Sequence, residues 1–127
     1  IELTPRTGET TLRTDDIVNT INDVGEELAT IIMGGVNYYT GQAFDMETIT
    51  KAGKSVGAFV GFDLAHAAGN IHLNLHEWNV DFAAWCTYKY RCAGPGAPSG
   101  IFVNEKHHHW TGPRLVGWWG QNKQTRL

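Results

Sequence analysis

The residues best placed for covalent chemistry are Lys89, in Thr87-Tyr88-Lys89-Tyr90, and Asp63, in Phe62-Asp63-Leu64-Ala65-His66. Lys89 follows an apolar run and is flanked by aromatic side chains, a setting in which an amine loses its water readily. A desolvated lysine condenses with a carbonyl group, and a nearby acid stabilises positive charge on whatever that lysine holds. Three more positions strengthen the pair. His66 shares the motif of Asp63, Tyr38-Tyr39-Thr40-Gly41 follows an earlier apolar run, and Tyr88 adjoins the lysine itself. Taken singly, each has a plain structural reading: Asp63 caps a short helix His66-Ala67-Ala68, His66 lies on its surface, and the tyrosines pack. Their joint meaning depends on whether the fold carries them to one edge.

The elements that must do so alternate along the chain. Thr14 reads as a helix cap, Asp15 and Asp16 fall in the first turn, and Ile17, Ile21, Val24 and Leu28 recur at helical spacing. This predicts a helix over 14–25 that ends near Gly25. Leu28-Ala29-Thr30-Ile31-Ile32-Met33 then runs in strand-forming residues to Gly34-Gly35, the pattern of a strand buried on both faces. Asp45 caps a second helix, with Phe44 and Ile49 as a hydrophobic staple, and that helix ends by Gly57. Ala58-Phe59-Val60-Gly61-Phe62, the span 80–86 and Ile101-Phe102-Val103 read as further strands. Helices alternating with buried strands predict an α/β fold, a mostly parallel sheet flanked by helices, whose ligand sites gather at the carboxyl ends of strands. On that frame the tyrosines follow the first strand, Asp63 and His66 close the second, and Tyr88 and Lys89 follow the third. An acid, an imidazole, phenols and a lysine on one edge suit the holding of a phosphorylated pyridine aldehyde as a Schiff base.

Composition narrows the alternatives. A chain of 127 residues is about one domain and buries a real core. Its net charge of −3, pI near 6.0 and scattered Lys and Arg give no basic field, so no nucleic-acid partner is expected. No apolar run approaches the roughly 20 residues of a membrane helix, and no signal-peptide pattern opens the chain, so a soluble protein without membrane attachment is expected. Cys86 and Cys92 are too few for a disulfide framework and fit a reducing compartment. His107-His108-His109, with His72, His76, Cys86 and Cys92, offers a rival metal module. Consecutive histidines cannot all face one ion, and the cysteine spacing is not that of a zinc knuckle, so no metal is expected and the run reads as a solvated loop. Gly94-Pro95-Gly96-Ala97-Pro98-Ser99-Gly100 lacks the lysine-threonine ending of a phosphate loop and reads as a tight turn.

Four segments together resemble one family. Tyr38-Tyr39-Thr40-Gly41-Gln42, Gly61-Phe62-Asp63-Leu64-Ala65-His66-Ala67, Trp85-Cys86-Thr87-Tyr88-Lys89-Tyr90 and Leu115-Val116-Gly117-Trp118-Trp119-Gly120 closely resemble the kynureninases, pyridoxal 5′-phosphate enzymes of the aspartate-aminotransferase-like fold type I. The acid-to-lysine spacing alone would suit aminotransferases and cysteine-desulfurase-like lyases equally; the tyrosine and tryptophan motifs narrow it. The resemblance implies that residues 1–127 are part of a large cofactor-binding domain, with the first part of that domain and a small domain absent. It also implies a cytoplasmic homodimer of tryptophan catabolism. The segment by itself is expected to be inactive.

By the same resemblance, Lys89 is the lysine that carries the cofactor and moves the substrate Cα proton, and Asp63 pairs with the ring nitrogen. His66, Tyr88 and Trp118 contact the cofactor, while Tyr39 binds its phosphate and donates a proton to the product. The implied reaction is hydrolysis of the Cβ–Cγ bond of L-kynurenine or 3-hydroxy-L-kynurenine to anthranilate or 3-hydroxyanthranilate plus L-alanine. Two departures stand out. Kynureninases usually follow Lys-Tyr with leucine and asparagine, where this chain has Arg91 and Cys92, and some carry serine at the position of Gly34.

Overall fold

The computed structural model describes residues 1–113, 117 and 120–126. Helix α1 spans Thr14–Val24, and its N-cap is Arg13 rather than Thr14. The Arg13 carbonyl accepts the N–H groups of Asp16 and Ile17 at 3.1 and 3.2 Å, while its guanidinium is held by Glu9. The helix therefore starts before the threonine could cap it. Asp15 and Asp16 do occupy the first turn, where backbone N–H groups lack partners. Gly25, at φ 58°, ends the helix, and a 3-10 turn over Gly25–Glu27 returns the Leu28 N–H to the Gly25 carbonyl at 3.0 Å. That turn consumes the front of the apolar run. Strand β1 accordingly forms at Thr30–Gly34.

Helix α2, Met46–Ser55, starts as expected: Asp45 accepts the Thr48 N–H at 3.0 Å and its hydroxyl at 2.8 Å. Ile49 is fully buried and Phe44 packs against the same core. Strands β2 at Phe59–Asp63, β3 at Phe82–Trp85 and β4 at Gly100–Val103 complete a sheet of order β1-β2-β3-β4. β1 pairs with β2 and β2 with β3 in parallel, and β3 pairs with β4 antiparallel. Residues 65–70 form turns, not a helix. The N–H groups of Ala67 and Ala68 both reach the Leu64 carbonyl, and Gly69 at φ 86° turns the chain away before a second helical turn can form.

Alternation along the strands divides the sheet. Ile31, Val60, Phe62 and Ala83 face α1 and α2 and are buried with Ile17, Ile21, Met46 and Ile49. A fully buried side chain of this size contributes about 1.5–3 kcal/mol, so this single layer is the core. The opposite face carries Ile32, Gly61, Asp63, Phe82, Ala84 and Ile101, and it is open: Ile32 is 69% and Ile101 74% exposed. β1 is thus buried on one face only among the described residues, because both helices lie on the same side of the sheet.

Candidate active site

Asp63 ends β2, and its backbone carbonyl accepts the Gly35 N–H at 2.8 Å, tying the ends of β1 and β2 together. Its carboxylate is exposed, with one oxygen taking the Ala65 N–H at 2.9 Å and the other without a hydrogen bond among the described residues. Leu64, fully buried, anchors the following turn, which holds His66 half-buried. Across the sheet edge, the Cys92 N–H bonds the Lys89 carbonyl at 2.9 Å and the Ala93 N–H bonds the Thr87 carbonyl at 3.0 Å. This tight turn presents the Lys89 side chain back toward β2. Lys89 Nζ stands 2.9 Å from His66 Nε2, close enough for the ammonium to donate to an unprotonated ring nitrogen.

Three aromatic rings surround this contact. Tyr38 and Tyr90 lie 6.5 and 6.2 Å from the His66 ring, and Lys89 Nζ lies 5.9 Å from the Tyr88 ring centre. Asp63 and His66 share a cleft of about 310 Å³ with Met33, Gly34, Val36, Asn37, Tyr38 and Phe44. Asp63 also borders a second hollow of about 350 Å³ on the open face, beside Ile32, Phe82, Trp85 and Cys86. The tyrosine loop is pinned at its base: Asn37 Oδ1 accepts the N–H groups of Tyr39 and Thr40, and the Gly41 N–H returns to the Asn37 carbonyl at 2.9 Å. Gln42 clamps that loop to the segment before α1 through two bonds with the Leu12 backbone.

The fold thus brings His66 and Lys89 into contact, with Tyr88 beside the amine and Asp63 in the cleft of His66. Tyr39 is 87% exposed, and among the described residues no hydrogen bond or ring contact joins it to Asp63, His66 or Lys89. Trp118 lies outside the described residues. Tyr38 belongs to the tyrosine segment already noted, while Tyr90 and Asn37 shape the site without having been assigned a role; an asparagine before two tyrosines and Thr-Gly is an Asx-turn signal that marks the loop. The histidine run divides. His107 bonds Asp81 at 2.7 Å, while His108 and His109 are exposed. Gly94 and Gly96, at φ 81° and 78°, make the glycine-proline segment a tight turn, and the Thr87 hydroxyl fastens it through the Pro98 carbonyl at 2.6 Å.

A primary amine, an imidazole beside it, an accessible carboxylate and several phenols form a donor set that fits a phosphorylated pyridine aldehyde. An amine can condense with an aldehyde, and a carboxylate and phenols would suit the ring nitrogen and the phosphate of such a group.

Known proteins similar to this chain include kynureninases and an aminotransferase. The kynureninase of Christiangramia forsetii is 62% identical over 128 residues, covering 100% of this chain and 30% of that protein. The kynureninase of Mus musculus is 54% identical over 123 residues, covering 97% of this chain and 26% of the mouse protein. Among solved structures, the ureidoglycine-glyoxylate aminotransferase of Bacillus subtilis superposes with a TM-score of 0.63 at 26% identity, over 76% of this chain and 24% of that one. This chain therefore spans about 30% of the length of the curated relatives it matches. The aminotransferase class-V family model matches residues 1–103, and proteins of that family depend on pyridoxal 5′-phosphate. With a mostly parallel sheet and an acid and a lysine at its carboxyl edge, the chain belongs to the aminotransferase class-V family.

Proposed function

We propose that this chain is a central part of the large domain of a longer enzyme that hydrolyses L-kynurenine or 3-hydroxy-L-kynurenine. The products are anthranilate or 3-hydroxyanthranilate plus L-alanine. The observation that carries the reading is the 2.9 Å contact between Lys89 Nζ and His66 Nε2 beside the Asp63 cleft. Identity of 62% to a kynureninase across the whole chain supports the substrate class.

When bound, pyridoxal 5′-phosphate supplies a carbonyl for amine condensation and an electron sink for carbanion chemistry. Lys89 would be the residue that holds the cofactor, and its free amine would take the substrate Cα proton. His66 accepts the Lys89 N–H and so orients the amine. Asp63 would hold the ring nitrogen and favour its protonated form, because an ionised carboxylate at close range favours the charged form. Tyr39 would bind the phosphate and deliver a proton to Cβ, while Tyr88 and Trp118 would help to hold the cofactor. Proton transfer by a positioned group of this kind contributes about 10²–10⁴-fold in rate. The active enzyme is a cytoplasmic homodimer.

The test uses the complete protein, loaded with pyridoxal 5′-phosphate, reduced with borohydride and digested. The modified peptide is expected to carry its label on Lys89, and Lys89→Ala is expected to lose both the label and alanine release from kynurenine. Label on another lysine, or none, sinks the reading. Amino-group transfer to a 2-oxo acid, without cleavage of kynurenine, would assign the protein to an aminotransferase activity instead.

A further inference from the structure

At the opposite end of the sheet from the candidate site lies a carboxylate that the chemistry above does not use. Asp81, just before β3, has a side chain only 1% exposed. Both its oxygens are nevertheless filled. Oδ2 accepts Lys54 Nζ at 2.5 Å and the Val60 N–H at 2.7 Å, and Oδ1 accepts Lys106 Nζ at 2.8 Å and His107 Nε2 at 2.7 Å. Its backbone adds an N–H bond to the Val60 carbonyl and accepts the Asn104 N–H, each at 2.9 Å. Helix α2, strands β2 and β3 and the turn after β4 thus converge on one residue. Stripping water from a carboxylate is expensive, and here it is offset only because every leg is made; no buried side-chain polar atom lacks a partner among the described residues.

This position matters because of how the strands pair. Parallel strands have no tight turn to set their register, and a slip of one residue moves every side chain to the other face. The Val60–Asp81 bonds pin β2 to β3 from their amino ends. Val60 and Asp63 belong to the same five-residue strand, and Lys89 follows the carboxyl end of β3. We propose that Asp81 is the positioning residue of the site: it sets the register of the strand that bears Asp63 against the strand that leads to Lys89, and so the separation of acid and amine. Its catalytic consequence rests on the roles proposed above for Asp63 and Lys89; its effect on register does not.

The experiment compares the complete protein with its Asp81→Ala and Asp81→Asn variants, using Ile49→Val as a control for a general loss of core stability. Hydrogen exchange is read first without cofactor, at Val60 and at two amides on the far side of the register. These are Leu64, whose N–H bonds the Ala84 carbonyl at 2.8 Å, and Gly35, whose N–H bonds the Asp63 carbonyl at 2.8 Å. Asp81→Ala is expected to speed exchange about tenfold or more at all three, and Asp81→Asn, which keeps an acceptor for Val60, by less. Faster exchange at Val60 alone, or a pattern matched by Ile49→Val, overturns the proposal. With cofactor and substrate, kcat/KM of Asp81→Ala is expected to fall about 10²-fold, the scale of a misplacement near 1 Å. The pH titration of the lysine-bound chromophore should shift with it. An unmoved titration with unchanged kcat overturns the catalytic part. Should Asp81→Ala not fold, Lys106→Ala removes one leg of the Asp81 cluster together with the Lys106 bonds to Asn79, and unchanged exchange at Leu64 then decides against the idea. Failure of the wild type to label at Lys89 would count against the functional reading only, since the cofactor-free exchange still decides the role of Asp81.

Discussion

Cys92 closes the turn that presents Lys89, and it does so at φ 56°, in the left-handed region. A side chain with a Cβ pays about 1–2 kcal/mol there, and asparagine pays least among non-glycine residues because its amide bonds locally. This chain already uses that solution at Asn79, φ 59°. The kynureninase resemblance implies asparagine at this position, and asparagine adopts this conformation at lower cost than cysteine. Cys92→Asn is therefore expected to stabilise the complete protein by roughly 1 kcal/mol, read as a higher urea midpoint; an unchanged or lower midpoint would contradict it. At this scale the sequence was most legible where chemistry and position coincide. Lys89, Asp63 and His66 stand out because an amine, an acid and an imidazole have few reasons to follow successive strands. Tyr90 did not stand out, because nothing local shows which way a ring beside a lysine will turn.

Helix α2 rests on the sheet through a glycine. A Cβ at Gly53 would fall 2.6 Å from Val60 Cγ2 and 2.7 Å from Ile31 Cδ1, both on buried side chains that have nowhere to move. Two effects oppose each other in Gly53→Ala. Helix propensity favours alanine by about 1 kcal/mol, while overpacking a filled core costs about 1–3 kcal/mol. Overpacking wins, and the variant is expected to be less stable by roughly 1 kcal/mol, measured as a lower thermal midpoint; a rise would mean that the helix can back away. Among the elements, the α2 cap was legible because Asp45 precedes a clear amphipathic pattern. The start of β1 was not, because Leu28 and Ala29 suit a strand in composition, but Leu28 caps the 3-10 turn Gly25–Glu27 and the strand begins only at Thr30. Gly61 shows a further constraint invisible to pattern. A Cβ there would lie 2.1 Å from the Phe82 ring, so the strand bearing Asp63 needs glycine where its neighbour's aromatic ring covers it.

For the molecule as a whole, Asp81 and two surface pairs govern the response to acid. Burial pushes the Asp81 carboxyl up, but Lys106, Lys54, the Val60 amide and His107 together hold it well below the usual carboxylate range. Asp16 beside Arg6 and Glu9 beside Arg13 are lowered too, chiefly by those hydrogen bonds. Lowered groups contribute stability above their unfolded values, near pH 4, and lose it as pH falls through the folded values. His76 has the opposite sign. Its bonds with Glu105 and Glu77 raise it, so its contribution is present below about pH 6.5 and fades as pH rises through the folded value. Exposed pairs contribute little, so the buried carboxylate should dominate. The thermal midpoint is expected to fall below about pH 4, with a shallower fall in Asp81→Asn; parallel curves would show that Asp81 is not the cause. No periodicity announces such a residue. A single aspartate in Val80-Asp81-Phe82 gains its meaning from Lys54 and Lys106, which are distant in sequence. The open sheet face was equally hidden, since β1 reads as apolar on both sides whether or not a second layer covers it. That face has a colloidal consequence. With Ile32, Phe59, Ile101 and Val103 exposed on one side and β1 and β4 at the margins of the described sheet, the segment alone is an amphiphile with two unpaired strand edges. Separated from the rest of the protein, the segment is expected to self-associate as its concentration rises.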